Sequence, residues 1–403
     1  AVIGSGPAGL TAAYDLVRKG YPVKVFESSP LPGGMLTTGI PEFVLPRKVA
    51  MAEIDYIRGL GVDVRTNVTL GKDFTLDDLK EMGFKAVLLA IGNQGSAMLK
   101  IPGAELEGVH PALPFLKKVK LGEAAPLKGK VVVIGGGNVA MDAARTALRL
   151  GAGEVHVACL EARCDMPAFT WEVEATERER IKLHPALSPQ EFTSRDGRRI
   201  TGIIYKRVAS TCREEDGRVS CTLLEGPASD YYMDVDAVII AIGQYPEVPH
   251  KERFDLDARN AVVVNPETMA TNIPGLFSAG DAVHVGATVI EAIADGHRAA
   301  AAIDCFLNGT EAPPQAPSME VVELDPELAP GFFQKRERWS MPSLPSQDAI
   351  RCFEEVHLGL TERGAGREAR RCLNCRSCVN CIFERGQLCF ETASRLISER
   401  REA

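Results

Sequence analysis

Short apolar runs closed by small residues recur along the chain, and two of them share one pattern. Residues 1–27 read AVIGSGPAGL, then TAAYDLVRKG, then PVKVFE. An apolar run passes through a glycine turn into an Ala-rich stretch with apolar positions at helical spacing, and a second β-rich run follows. Residues 130–161, KVVVIGGGNVAMDAARTALRLGAGEVHVACLE, repeat the pattern. Each predicts strand, helix, strand, a unit that builds parallel sheets with ligand sites at the carboxyl ends of the strands. AVLLAIGNQGS (86–96), AVIIAIGQYP (237–246) and GLFSAGDAV (275–283) predict further strands, and ATVIEAIADGHRAAAAI predicts a helix behind the last. The order is one module, a second inserted inside it, and a return to the first. The joints fall near 115–128 and 245–252, where proline and charge collect.

From residue 312 the texture changes to a Pro-rich, irregular strap. It leads into DAIRCFEEVHLGLTERGAGREARRCLNC, which the pattern predicts to be helical, and the chain closes on a charged helix, FETASRLISERREA.

The chain has 403 residues, enough for two or three domains with substantial cores. A net charge of −8 argues against a nucleic-acid surface and gives no reason to invoke an anionic membrane. No apolar run approaches the ~18–20 residues of a membrane span. The opening AVIGSG lies inside a predicted strand and lacks Met, so sequence upstream of Ala1 is expected to be missing. Of 11 cysteines, five crowd into residues 372–389 at spacings that suit a metal better than disulfides, which points to the cytoplasm.

In the first glycine loop, Gly4, Gly6 and Gly9 form GxGxxG. Gly4 permits the tight turn, Gly6 lets the backbone approach a pyrophosphate, and Gly9 allows helix to pack closely on strand. The helix N-terminus, opened by Pro7, presents free N–H groups from Ala8 onward to phosphates. Glu27 closes the second strand, where a carboxylate accepts hydrogen bonds from ribose hydroxyls. The second loop has Gly135, Gly137 and Ala140, a GxGxxA variant, with its helix N-terminus at Asn138 and Val139. A glycine loop alone is often a plain turn, but two complete modules in one chain point to FAD in one and NAD(P) in the other. Gly280-Asp281 place the flavin in the first, because an Asp carboxylate and neighbouring N–H groups there suit a ribityl chain and phosphate, and the following helix aims its N-terminus at the flavin ring.

The predicted fold is therefore α/β, with two Rossmann-like dinucleotide-binding domains, the second inserted in the first, and a Cys-rich tail. The FAD-binding domain is expected over 1–118 and 250–312, the NAD-binding domain over 119–249, and the strap and Cys-rich segment over 313–403.

These motifs in this order resemble the small-subunit family of glutamate synthase. That group also includes the dinucleotide-binding half of dihydropyrimidine dehydrogenase and the large subunit of the ferredoxin-dependent bifurcating transhydrogenase. PGGMLTTGIPEFVLPR (32–47) is similar to the family signature GG-L-x-x-G-I-P-x-F-x-L-P, and CDMPAF (164–169), AIGQYP, FEEVHLGLTERGAGREARRCLNC and the GD segment also fit. The resemblance runs over nearly the whole chain. It implies FAD contacts at Gly6, Glu27, Gly34, Met35, Leu70, Gly92, Gly280, Asp281 and Val289, and nicotinamide contacts that include Gly243. Many members carry Arg where this chain has Val44; either Arg47 is its substitute on the flavin, or the pyrophosphate relies on the loop alone.

Members that use NADPH resemble V-x-Y-R-R-S-R-x-x-M-P-A, whose paired Arg clamp the 2′-phosphate. Counting back from Met166-Pro167-Ala168, those positions hold Leu160 and Glu161. A carboxylate accepts from a free 2′-hydroxyl and repels a phosphate, so NAD is expected over NADP. Arg163 is a nearby cation in the same site.

Cys372, Cys375, Cys378 and Cys381 run C-x2-C-x2-C-x2-C, with Cys389 further on. This suits a [4Fe-4S] cluster, although the last spacing departs from the usual ferredoxin run; structural zinc and unligated thiols are the alternatives. The remaining cysteines form no C-x-x-C pair, which disfavours a thiol relay.

No catalytic side chain is expected, since hydride transfer needs alignment of two cofactors. The predicted function is an FAD-containing NAD(H) oxidoreductase subunit that exchanges single electrons with iron–sulfur clusters of partner subunits. The resemblance implies glutamate synthase, a ferredoxin:NAD oxidoreductase or a tungsten aldehyde oxidoreductase ending on NAD as the complex; Glu161 favours the last two. The alternatives are an NADPH-dependent glutamate synthase small subunit and a stand-alone NAD(P)H thiol or quinone reductase.

Overall fold

The computed structural model describes residues 1–213, 219–226, 229–284, 286–311 and 337–370. The chain divides into two compact units, Ala1–Pro317 with Pro345–Val356, and Ser318–Leu344 with His357–Ala403.

The first unit holds both modules. In the first, five parallel strands lie in the spatial order Leu276–Ser278, Val87–Leu89, Val2–Ile3, Lys24–Phe26, Asp63–Arg65. Alternation along the strands sends Val2, Val25 and Leu88 to one core and Ile3, Phe26 and Leu89 to the other. Helix Pro7–Arg18 and helix Val289–Asn308 cover the first face through small residues, among them Ala12, Ala13, Ala299 and Ala300. Their approach is close: a Cβ on Gly296 would lie 2.5 Å from the Ala8 carbonyl oxygen.

The second module repeats the plan with parallel strands in the order Val109–Pro111, Ala237–Ile240, Lys130–Ile134, Glu154–Ala158, Lys182–His184. Val131 and Val133 pack under helix Asn138–Arg149 at Met141 and Ala144. The other face, Val132, Ile134, Val238 and Ile240, is covered by an antiparallel sheet of Leu187–Ser194, Ile200–Arg213, Val219–Leu223 and Asp230–Asp234, with Ile203 and Tyr205 fully buried. The sequence reading did not anticipate this sheet.

Two expectations need correction. Strand Val109–Pro111 pairs with Ala237–Ile240, and Ala112, Phe115 and Leu116 of the next helix, Ala112–Leu121, join the second core. The strip 109–118, expected in the first domain, therefore sits in the second. The Pro-and-charge stretch around 115–128 lies within one module, its start in the buried face of that helix, while the chain crosses earlier, where Gly95–Ser96 pair with Gln244–Tyr245. Among its described residues, the stretch expected to be helical from residue 348 holds the end of the short helix Ser346–Ala349 in the first unit and helix Glu362–Ala369 in the second. Gly359, at φ +81°, interrupts it, and the Thr361 hydroxyl caps the later helix by accepting from the Gly364 N–H at 3.1 Å.

Among the described residues no helix is long and apolar enough to cross a membrane.

Candidate functional site

The first cradle begins where strand Val2–Ile3 meets Gly4 at φ +101°. A Cβ there would lie 2.3 Å from the Ala90 carbonyl oxygen, and one on Gly9 would lie 2.2 Å from the Gly4 carbonyl oxygen. Gly6 is different: it N-caps helix Pro7–Arg18, and the position of its missing Cβ is open to 4 Å. The first-turn N–H groups at this end have no acceptor within the helix, and Pro7 gives up one that would be unpaired anyway. This combination of open space and free donors fits a dinucleotide pyrophosphate.

Glu27, 5% exposed, is held within the cradle itself. Its Oε2 accepts from Ser5 N at 3.0 Å and Ser5 Oγ at 2.6 Å, and its Oε1 accepts from Ser29 N at 2.7 Å. Ser5 Oγ in turn accepts from Gly33 N at 3.0 Å. Gly34, at φ +54°, lies so near that a Cβ would fall 2.9 Å from Gly6 Cα, and Met35 starts the short helix Met35–Thr38 beside it. Gly280, at φ +70°, packs on the same helix, its would-be Cβ 2.9 Å from Ala8 Cβ, and its N–H donates to Asp295 Oδ2 at 3.1 Å. Burial pushes the Asp281 carboxyl up to about 6, with Asp295 and Glu291 adding repulsion. Val289 opens helix Val289–Asn308, which Thr288 and Glu291 cap reciprocally. Leu70 is buried, and Gly92, at φ +64°, follows strand Val87–Leu89.

The Arg47 guanidinium donates to the Lys120 carbonyl oxygen and the Arg47 backbone N–H to Glu42 Oε1 at 2.8 Å.

In the second cradle Gly135, at φ +140°, would place a Cβ 2.1 Å from the Ala241 carbonyl oxygen. Gly137 N-caps helix Asn138–Arg149 with open space around it, and Val139 packs on the core behind. Glu161 lies across this loop: a Cβ on Gly136 would be 2.9 Å from Glu161 Oε2. The segment from Met166 is pinned to the loop, Ala168 N donating to the Gly136 carbonyl oxygen at 3.0 Å and Phe169 N to Asn138 Oδ1 at 2.9 Å. Arg163 is paired with Glu177, at 3.2 and 2.8 Å. Gly243, at φ +133°, accepts from Ala97 N at 3.0 Å beside the two-stranded ribbon. Under the loop, burial pushes the Cys159 thiol up to about 12, which leaves it inert.

Sequence reasoning missed Ser5 and Asp295, which hold the first cradle together, and the exposed stacked pair Phe169–Trp171 at the edge of the second, with centroids 4.5 Å apart. Ser5, as the small polar residue inside GxGxxG, was legible in principle; Asp295 looks like an ordinary helix residue until its burial is known. Cys372, Cys375, Cys378, Cys381 and Cys389 lie outside the described residues.

Residues 1–296 match the family described as pyridine nucleotide-disulphide oxidoreductase. The chain is 37% identical to the NADP(+)-dependent formate dehydrogenase subunit beta of Moorella thermoacetica, over 93% of this chain and 54% of that protein. It is 32% identical to the NADPH-Fe(3+) oxidoreductase subunit beta of Geobacter sulfurreducens, over 93% of this chain and 61% of that one. It thus spans little more than half the length of these two relatives. The glutamate synthase [NADPH] small chain of Azospirillum brasilense is 34% identical over 79% of this chain and 68% of its own length. Among solved structures, FprA of Mycobacterium tuberculosis has a TM-score of 0.63 at 18% identity, covering 76% of this chain and 84% of its own. The Lactococcus lactis thioredoxin reductase has a TM-score of 0.58 at 24% identity, covering 76% and 98%; both likenesses concern the fold alone.

Proposed function

The chain belongs to the pyridine nucleotide-disulphide oxidoreductase family and is an FAD-dependent NAD(P)H oxidoreductase; from that premise we propose that it is the flavin subunit of a larger complex, exchanging electrons between NAD(H) and iron–sulfur clusters of its partners. When bound, FAD takes two electrons from a nicotinamide and gives them up singly.

The chain's own part is to hold and align. In this reading Gly6, the turn at Pro7 and the N–H groups of Ala8 and Gly9 take the flavin nucleotide's pyrophosphate, and Glu27 offers its remaining lone pairs to a ribose. Gly34, Met35, Leu70, Gly92, Gly280, Asp281 and Val289 line the rest of that path. Gly135, Gly137, Asn138, Val139 and Gly243 take the nicotinamide nucleotide. No side chain moves a proton in the hydride step, so alignment carries the rate.

The preference for NAD rests on one observation: the Glu161 carboxylate lies across Gly136, and Arg163, the nearest candidate for a 2′-phosphate, is engaged by Glu177. The relatives named for NADP(+) or NADPH favour the second reading, NADP(H). Anaerobic mixing of the flavin-loaded chain with NADH and NADPH in parallel decides between them. Faster bleaching of the flavin by NADH is expected; an advantage for NADPH overturns the preference, and bleaching by neither overturns the function.

The partner assignment draws on the cysteine run 372–389 and on relatives named as beta subunits or small chains. A cytoplasmic setting fits the unpaired thiols of Cys159, Cys164, Cys305 and Cys352. Purification at native abundance, with every co-eluting chain identified and iron, sulfide and zinc assayed, tests both; an isolated metal-free chain would refute the complex.

A further inference from the structure

Hydride transfer between two nucleotides needs the two modules held in one orientation, yet their cores do not hold them so. Each of the four buried apolar clusters among the described residues lies within a single module. Between them lies a cavity of about 400 Å³, bordered by Pro41, Glu42 and Arg47 on one side and Leu116, Val119 and Lys120 on the other.

Arg47 crosses this gap to the Lys120 carbonyl and Lys117 to Ser29 Oγ at 3.4 Å, and the turn before Arg47 makes the most buried crossing. Residues 41–46, between helix Met35–Thr38 and helix Arg47–Gly59, carry Phe43, which belongs to the first module and is fully buried. Its ring lies 3.8 Å from the Arg149 guanidinium carbon and 4.9 Å from that of Arg145, both on the second module's helix Asn138–Arg149. Every nitrogen of those guanidiniums except Arg149 Nε, which is buried without a partner, is already engaged. Arg145 donates to Glu179 Oε1 at 3.1 and 2.9 Å and to Glu172 Oε2 at 2.9 Å; Arg149 donates to both Glu179 oxygens, at 2.6 and 2.9 Å. Two cations therefore meet two carboxylates in the plane of their N–H groups, which leaves their faces for an aromatic ring.

The flanking residues add to the bridge. Glu42 pairs with the buried Lys120 ammonium at 2.7 Å, and the Phe43 carbonyl accepts from Val356 N at 2.9 Å. The bridge also joins the two cradles. Phe43 follows directly on the segment that opens at Gly34, and the helix it grips begins at Gly137.

We propose that Phe43, seated on the Arg145–Arg149–Glu179 cluster, is a positioning residue that locks the two modules in the orientation hydride transfer requires. The inference rests on the function proposed above, but its structural arm does not depend on that function.

The test compares the wild-type full-length chain with Phe43→Leu, which keeps the apolar volume and removes the π face. Glu42→Gln serves as a second variant on the same turn. Small-angle scattering is recorded on flavin-loaded and flavin-stripped protein; single-turnover flavin reduction then separates nicotinamide Kd from the hydride rate constant. Phe43→Leu is expected to keep its flavin, hold Kd within about twofold and lose about ten- to a hundredfold in the rate constant, the scale of an alignment error of about 1 Å. Its scattering should report a larger, more variable particle with or without flavin. Glu42→Gln should move both readouts the same way by less, and it decides the matter if Phe43→Leu does not fold. An unchanged rate constant in a flavin-loaded variant overturns the proposal, as does a loss confined to flavin content and Kd. Should neither nicotinamide reduce the wild type, the functional reading fails, and unchanged scattering would then still overturn the lock.

Discussion

The two glycine loops follow one plan and are finished differently. In the first, the acid at the end of the second strand is buried and used by its own loop, through Ser5, Ser29 and, by way of Ser5, Gly33. Gly34 closes over Gly6, and Gly280 packs on Ala8. In the second, Glu161 is half-buried and has the buried Cys159 thiol for a neighbour rather than a set of backbone and hydroxyl donors. A cradle braced on itself suits a group that stays; one whose acid is only lightly held at its rim suits a group that comes and goes. The same motif can thus encode a resident cofactor or an exchanging one, depending on what surrounds its acid.

The severest way to break this contrast is Gly4→Val. A side chain 2.3 Å from the Ala90 carbonyl oxygen, at φ +101°, leaves no conformation that keeps the loop. A loss above about 4 kcal/mol is expected, with protein that is insoluble or colourless. Normal flavin absorbance per chain would show that the first loop is not the flavin's.

Glu27→Gln and Glu161→Gln form a matched pair. The first confronts Ser5 N, Ser5 Oγ and Ser29 N with an amide, a cost of about 2–3 kcal/mol. Flavin affinity measured on stripped protein should fall about thirty- to a hundredfold. The second should leave flavin affinity and Tm unchanged. Equal losses in both would erase the distinction between braced and open cradles.

Glu161→Arg sharpens the open side. Exchanging a carboxylate for a phosphate-binding guanidinium should move the NADPH-to-NADH ratio of kcat/KM upward by about ten- to a hundredfold, the worth of one charge-assisted hydrogen bond. A ratio that does not move would take Glu161 out of the ribose site.

The smallest effect concerns Asp142, on the helix behind the second loop. Burial, with Glu172 adding repulsion and Arg145 opposing it, pushes its carboxyl up to about 8. An unfolded Asp titrates near ~3.9, so between the two values the folded chain holds a proton that the unfolded chain has released. Stability therefore falls as pH rises through that window. Asp142→Asn should raise Tm by about 2–4 °C at pH 7.5 and by nothing at pH 4, the gain being small because the side chain is only half-buried. An equal rise at both pH values would refute the protonated carboxyl.

Both modules were legible in the sequence because a glycine loop between a β-rich run and an Ala-rich helix leaves few alternatives. At Gly4 and Gly135 the backbone takes positive φ hard against another strand's carbonyl, which no other residue tolerates. The antiparallel sheet over Leu187–Asp234 was less visible because its strands are polar on one face and broken by bulges, although Asp196-Gly197 is a hairpin signal. The course of Arg47 was not legible, because sequence distance does not say which way a long side chain turns; here it turns to Lys120. The boundary near 118 was misplaced because proline and charge occur inside a module as well as between modules; Lys120 is itself buried.

Ser96 and Gln244 face each other across the ribbon, so the second module leaves the first and re-enters it at a single point. Cross-strand partners lie only about 5 Å apart. Residues 97–243 can therefore be regarded as a cassette: cut out and replaced by a tight turn, or exchanged for another nucleotide module, with the polypeptide on either side keeping its course. Gly95 must stay in any such graft, because a Cβ there would fall 2.3 Å from the Tyr245 ring.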